Sequence, residues 1–339
     1  IMPSLVGSEM CIRDRIITIS PMNTDFIQIA GYASKAPSGH NTQPWKFHIT
    51  DKGISVIPNL EVALPFVDGN NRELFISLGC AVENIFVSAG HFGYGACMTE
   101  CSTERIMVEL SKTKSVVENP LFYQIEKRQT NRSIYNGKRV PAHVLQQLQS
   151  IPKENSVRFH FAETGGSLAD TITGYIMKGN DIQMDDTAFK NELLLWMRFN
   201  RRQVESTHNG LSYQVFGNPP LPRILARPIV SRFLKPAVQN KSDKKKIASS
   251  SHLVVCTIKK NVPQEWVGLG RTLQRLLLEM TKAGVAYAFL NQPCEVESLA
   301  SDLQDTLPIN QEYPVLILRI GYARPLPYSP RHKIETRLI

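Results

Sequence analysis

Two stretches of the chain, residues 79–98 and 270–290, carry apolar side chains at i, i+3, i+4 and i+7. Val82, Ile85, Phe86 and Ala89 in the first answer to Leu273, Leu276, Leu277 and Met280 in the second. That spacing draws one apolar stripe along a helix, so both stretches are predicted to be core helices. Each opens on a glycine, Gly79 or Gly270, and closes on another, Gly93 or Gly284, suited to a left-handed C-terminal cap. Two matched stretches so far apart in one chain predict an internal duplication. Elsewhere Pro141-Ala142-His143 should start a helix that buries Val144, Leu145 and Leu148. Residues 157–162, 253–259 and 315–322 read as strands, and Asp51-Lys52-Gly53 as the turn of a hairpin. Residues 189–248 look like an insertion, with an Arg-rich amphipathic helix over 193–204 followed by the proline-punctuated run NPPLPRILARP.

A chain of 339 residues is too long for one small core and matches two domains, or one domain built by duplication. Its 42% hydrophobic content is ordinary for a fully folding chain. The 6 cysteines form no C-x-x-C pair and no zinc-like cluster with histidine, which favours a reducing cytoplasmic setting and no metal. The net charge of +9 comes from dispersed Lys and Arg. Only residues 241–246, KSDKKK, form a cluster, read as a solvated loop, so a nucleic-acid partner is excluded and an anionic small ligand is favoured. No apolar run is expected to reach the roughly 18 residues that span a membrane. Residues 1–15 fit neither a signal peptide nor any element. They resemble a translated sequencing adapter, and Met22 is expected to be the natural start.

Three motifs carry chemistry. The loop Ala36-Pro37-Ser38-Gly39-His40-Asn41-Thr42-Gln43-Pro44-Trp45 presents Ser38, Asn41 and Gln43, whose donors and acceptors match the edge of a polar heterocycle. In Arg128-Gln129-Thr130-Asn131-Arg132, two guanidiniums are spaced to face one anion, with Thr130 between them. Near the end, Gly321-Tyr322 precedes Tyr328-Ser329-Pro330-Arg331. His40 is read as a packing or hydrogen-bonding histidine, and no catalytic side chain is nominated.

The pattern APSxxNxQPW resembles the signature of the nitroreductase superfamily. The later motifs are similar to that family's phosphate-binding elements, with Ser329 standing where the family has Lys. The arrangement along the chain resembles the Acg-like branch, from about residue 25 onward. This resemblance implies an α+β, nitroreductase-like fold in which two pseudo-two-fold-related halves, residues 22–120 and 121–339, have antiparallel or mixed sheets flanked by helices. It also implies FMN as cofactor, held by Ser38, Asn41, Gln43, Arg128, Thr130, Arg132, Leu290, Asn291 and Arg331. The run from Phe289 to Pro293 occupies the place of a family turn whose backbone N–H groups face the flavin. Because the loop lies in the first half and the phosphate residues in the second, one composite site per chain is expected, leaving room for a monomer. Two functions stay open. One is an FMN-dependent oxidoreductase working with NAD(P)H and a small electron acceptor. The other is a non-catalytic FMN store or sensor, closed by a lid at 189–248.

Overall fold

A computed structural model describes residues 23–310 and 312–339 of the chain. The segment 1–15 and Met22 lie outside the described residues. The first half runs α1 (Thr24–Ala33), β1 (Trp45–Ile49), β2 (Gly53–Pro58), α2 (Arg72–Ala89), β3 (Tyr94–Cys101) and β4 (Ile106–Lys112). After α3 (Ala142–Gln149) and β5 (Arg158–Glu163) come five helices: α4 (Ser167–Asp185), α5 (Thr187–Trp196), α6 (Arg201–Thr207), α7 (Arg223–Phe233) and α8 (Pro236–Ala248). Two short strands, β6 (Met197–Arg198) and β7 (Leu211–Ser212), lie among them. The chain closes with β8 (His252–Ile258), α9 (Pro263–Lys282), β9 (Ala286–Phe289), α10 (Gln292–Glu295), α11 (Glu297–Thr306) and β10 (Tyr313–Gly321). The class is α+β, as expected.

The two main sheets share one plan. The first has the order β1-β2-β4-β3 and the second β5-β8-β10-β9, with antiparallel neighbours throughout. In each, the third strand in chain order sits at the edge beside the fourth, and a long helix joins the second strand to the third. The inserted helices α4 to α8 enter between the first and second strands of the second sheet. They cover its outer face, so every residue of β8 is buried. The C-terminal tail returns to the first half, where the Ile339 N–H donates to the Phe47 carbonyl at 3.0 Å.

Helices α2 and α9 meet at the centre, one continuous core running through both sheets. The striped residues Val82, Ile85, Leu273, Leu276, Leu277 and Met280 are all buried. Gly79 and Gly270 do not open these helices; each lies about two turns inside. A Cβ on Gly79 would stand 2.2 Å from the Val267 carbonyl oxygen, and a Cβ on Gly270 would stand 2.1 Å from that of Ile76. The contact is reciprocal, and it requires glycine because the helix backbones touch. Gly93 and Gly284 do take the left-handed conformation, at φ 76° and 68°. The helix starts are set nearby: Pro263 occupies the first turn of α9, and the Asp68 carboxylate accepts from the N–H groups of Glu73 and Leu74 at α2.

Three expectations are corrected. The helix over 193–204 is broken: α5 ends at Trp196, which turns into a small core with Leu64 and Met184, and Asn200 caps a new helix by accepting from Gln203 N–H. The KSDKKK cluster belongs to α8, not to a loop, because Asp243 and Ile247 on its inner face are buried. Finally, residues 72–92 are long and apolar enough to cross a membrane, yet 83% of the most apolar window is buried inside the protein, which makes α2 a core helix.

The glycine crossing yields a direct test. Gly79→Ala or Gly270→Ala should lower stability by about 1–3 kcal/mol or more, since the added methyl meets backbone that cannot rotate away. Gly174→Ala, at an exposed position of α4 with nothing near its Cβ position, should instead add about 0.5–1 kcal/mol. Denaturant midpoints of the three variants measure this; equal shifts would remove the close contact from the argument.

Candidate functional site

A cavity of about 910 Å³ opens between the halves, within the range of small-ligand sites. Its floor comes from the central helices, through Ile76, Ser77, Cys80 and Leu273. One wall is the loop before β1, and another is the insertion, including Phe189, Met197, Phe199 and Tyr213. Of the expected binding residues, Ser38, Asn41, Arg128, Thr130, Arg132, Asn291 and Arg331 all line it. Gln43 and Leu290 do not. Leu290 packs in the core behind the second sheet, and its N–H is spent on the Ile317 carbonyl at 2.8 Å, so it cannot serve a ligand. Gln43 is a brace: its amide donates to the His208 carbonyl at 2.9 Å and accepts from the His332 N–H at 3.0 Å.

The loop before β1 is strained. His40, Asn41 and Gln43 have φ of 47°, 57° and 55°, a region that side chains other than Asn rarely enter. Hydrogen bonds hold it there. Ser38 Oγ accepts from Gln43 N–H at 3.0 Å. Asn41 donates to the Gly210 carbonyl at 3.2 Å and the Pro330 carbonyl at 3.0 Å, while Arg331 donates to its Oδ1 at 2.8 Å. The Asn41 side chain, expected to face a ligand ring, is here fully used in tying the loop to the insertion and the tail. His40 Nε2 lines the cavity buried and without a partner. Burial first, then the Arg132 charge, push His40 down to about 4, so it is neutral at physiological pH.

Residues 128–132 lie outside helices and strands. Arg128, Gln129, Thr130 and Arg132 line the cavity. Gln129 and Asn131 hold the tail, through paired bonds with Leu326 and a bond to the Arg324 carbonyl. Arg128 donates to Tyr287 Oη at 2.9 Å and to the Lys35 carbonyl at 3.2 Å, and Arg331 donates to that same carbonyl at 3.3 Å. Arg132 rests over the Phe216 ring at 5.7 Å. Among the described residues none of the three has a carboxylate partner, and Arg128 Nε is buried without any acceptor. Burial, with repulsion from Arg128, lowers Arg331 to about 9; burial, opposed by Tyr135 and aided by Arg319, lowers Arg132 to about 10. Both remain cations. Arg128 and Arg331 thus meet at the Lys35 carbonyl, and Arg132 lines the same cavity, none of them with a carboxylate partner among the described residues, an arrangement suited to an anion.

Two Mycobacterium tuberculosis proteins, from strains CDC 1551 and H37Rv and both provisionally named NAD(P)H nitroreductases, are 21% identical over 314 residues, covering 89% of this chain and 88% of their own. The chain is similar to these nitroreductases over most of its length. No family profile matches it. Among solved structures, an FMN-dependent nitroreductase from Mycobacterium smegmatis in complex with NADPH aligns with 63% of this chain and 94% of its own, at 13% identity and TM-score 0.40. Iodotyrosine deiodinase bound to FMN and 3-iodo-L-tyrosine covers 63% of this chain and 95% of its own, at 16% identity and TM-score 0.38.

Reading the nitroreductase-like motifs alone misses the other end of the cavity. There Glu73 of α2 and Glu295 of α10 hydrogen-bond to each other, both half-buried. Asn291, placed correctly in the cavity, donates to Glu73 Oε1 at 3.0 Å, and Gln183 of α4 donates to Glu295 Oε2 at 2.6 Å. Burial raises Glu73 well above the ordinary carboxylate range, with Glu295 and Asp68 adding to it; burial raises Glu295 to about 7. A sequence signal existed: Glu73, Ser77, Cys80 and Asn84 form a polar and small stripe along an otherwise apolar helix. Among the described residues no three His, Cys, Asp or Glu are placed to hold a metal.

Stability should therefore depend on pH through Glu295. An ordinary glutamate loses its proton near 4.5, whereas folded Glu295 keeps it to about 7, so the folded state binds more protons in that window. The stability it supports at low pH is lost as pH rises from 4.5 to about 7. His40 and His332, both lowered to about 4, act oppositely, their contribution falling away as pH drops below 6.5. The difference between Glu295→Gln and the parent isolates the first effect. The variant should match the parent at about pH 4 and exceed it by roughly 1–3 kcal/mol at about pH 8. Unfolding curves across that range measure it; a constant difference would mean that Glu295 ionises normally.

Proposed function

We propose that the chain is an FMN-binding, nitroreductase-like oxidoreductase whose single flavin site is built within one chain between two halves of duplicated origin. The observation that carries this reading is that Arg128 and Arg331 meet at the Lys35 carbonyl and Arg132 lines the same cavity, with no carboxylate partner among the described residues for any of the three. A phosphate group supplies the missing negative charge, and guanidiniums suit its oxygens. In this reading those three side chains, with Thr130, hold the phosphate, while Ser38 and the loop of Asn41 border the ring. Bound FMN would supply two-electron transfer, with the protein positioning and tuning it. NAD(P)H as electron donor is supported by the names of the two curated relatives, and a small molecule is the acceptor. The shared strand order of the two sheets supports the duplication, and a single loop with a single guanidinium cluster supports one site and a monomer. The cysteines among the described residues are free, which supports the cytoplasmic setting.

One set of contacts favours the alternative of a closed store or sensor. The insertion offers the Gly210 and His208 carbonyls to Asn41 and Gln43, so it is bonded to the loop that borders the cavity. Anaerobic addition of NADH, NADPH and dithionite in turn to the yellow protein separates the two readings. Bleaching by a nicotinamide supports the oxidoreductase, and bleaching by dithionite alone supports the store.

Denaturing extraction should release about one FMN per chain, and a ratio near two would overturn the composite site. Arg132 is the cleanest probe of the phosphate, because its side chain is not used to brace backbone. Arg132→Gln should weaken FMN about ten- to a hundredfold, from roughly 1.5–3 kcal/mol per charge-assisted contact, and leave riboflavin nearly unchanged. Arg331→Ala should weaken both ligands, since Arg331 also positions Asn41. Fluorescence titration of the apo variants decides this; equal losses for Arg132→Gln with both flavins would remove the phosphate role.

A further inference from the structure

The acidic end of the cavity is not used by the phosphate reading, and it is expensive to build. Glu73 and Glu295 come from helices far apart in sequence, on α2 and α10, yet they are brought into hydrogen-bond contact inside the protein. Two carboxylates in contact cannot both be charged there, so at least one proton resides on the pair. Neutral amides orient them: Asn291 on Glu73 and Gln183 on Glu295. Asn291 is itself fixed by accepting the Ile317 N–H at 3.0 Å.

The pair belongs to the ligand cavity and is not a sealed core defect. Both glutamates line it, and so do Arg128 and His40, whose Nε and Nε2 are buried without a partner. Glu73 Oε2 lies 3.4 Å from the Cβ position of Gly39, against the loop that borders the site. Along α2, Glu73 is roughly 10 Å from Cys80, at 1.5 Å per residue, and the Cys80 thiol feels the charge of Arg128. The cavity therefore has a cationic end and a proton-bearing end. A ligand with an anionic group and an uncharged heterocycle would span them.

We propose that the Glu73–Glu295 pair is a ligand-binding element that keeps one shared proton and donates it as a hydrogen bond to a lone-pair atom of an uncharged heterocycle or carbonyl in the cavity. This rests on the flavin reading for the probe but makes a separate claim: binding of the ring is linked to protonation of the pair. The charged groups facing it are few. Arg72, next to Glu73, favours ionisation, but one of its nitrogens is committed to the Cys294 carbonyl. Asp68, below the start of α2, opposes ionisation. From α4 the neighbours are the neutral Asn180 and Gln183, and from α8 Asp243, paired with Lys246, accepts from Asn180, Gln239 and Gln292. Burial outweighs Arg72, and Glu295 gives up its proton at about 7.

The test is a titration of the apo protein with riboflavin, which lacks the phosphate and so reports the ring end alone. Between about pH 5.5 and 8.5, parent affinity should be level on the acid side and fall up to tenfold per pH unit above about 7, the slope for one required proton. Glu295→Gln, which donates but cannot ionise, should hold the acid-side affinity across the range. Glu295→Ala should bind weakly at every pH. Circular dichroism melts show whether each variant is folded, and if Glu295→Gln is not, the parent profile and the infrared band of a protonated carboxyl, present at pH 6 and lost by about pH 8.5, carry the test. Flat parent binding overturns the proposal and leaves the flavin reading standing. Failure of the parent to bind either riboflavin or FMN at any pH overturns the flavin reading, and the proposal with it.

Discussion

The backbone contact between Gly79 and Gly270 is the constraint on which the rest of the structure depends. Where two helices carry side chains at their crossing, their axes stand 8–10 Å apart, and the space is filled. Here each glycine lies against the carbonyl one turn earlier on the other helix, so α2 and α9 close on each other and the sheets that ride on them are drawn together. The contact is reinforced by Glu83, which is buried and accepts from Arg271 at 3.2 Å and Arg275 at 2.6 Å across the same interface. Asn84 and Gln274 add a buried bond of 2.7 Å. With apolar layers above and below, these polar contacts admit one relative placement of the helices. The cavity floor, built from one turn of each, inherits that rigidity.

Charge is distributed along this cavity in an unusual way. Glu83 is paired with two arginines and Asp243 with Lys246. Among the cavity residues, by contrast, Arg128, Arg132 and Arg331 have no carboxylate partner among the described residues, and Glu73 and Glu295 are held by neutral amides. Uncompensated buried charge costs free energy, and it survives where something outside the chain supplies the balance. An anion answers the guanidiniums. The carboxyls answer themselves by retaining a proton, which converts two repelling anions into a donor. The two ends therefore solve the same desolvation problem by different chemistry, and the difference gives the site its direction.

Much of this was legible in the sequence, and the failures have physical causes. The stripes of α2 and α9 were readable because helix periodicity is local, and the matched glycines marked the crossing, although their mid-helix position follows from tertiary contact alone. Arg128 and Arg132, which both line the cavity, were identified because two guanidiniums spaced four apart can face one anion. Leu290 and Gln43 were misplaced because a residue type states what a side chain can bond, not which neighbour reaches it first. The break after Trp196 hinged on a single capping Asn within a continuous amphipathic pattern. The acid pair was invisible as a pair: its members stand far apart in sequence, and each alone reads as an ordinary helix-terminal glutamate.

The strained loop shows how these parts are coupled. Backbone held in the left-handed region costs on the order of 1–3 kcal/mol per residue, and three such residues fall within residues 40–43. What holds them comes from elsewhere: the insertion, through the Gly210 and His208 carbonyls, and the tail, through Pro330, Arg331 and His332. Arg331 is common to two networks, since it bonds Asn41 in the loop and shares the Lys35 carbonyl with Arg128. An anion that draws Arg331 toward itself competes with the bond that keeps Asn41 in place. Asn41 in turn holds the Gly210 carbonyl of the insertion, so one guanidinium joins the cationic side of the cavity to the loop and, through Asn41, to the insertion.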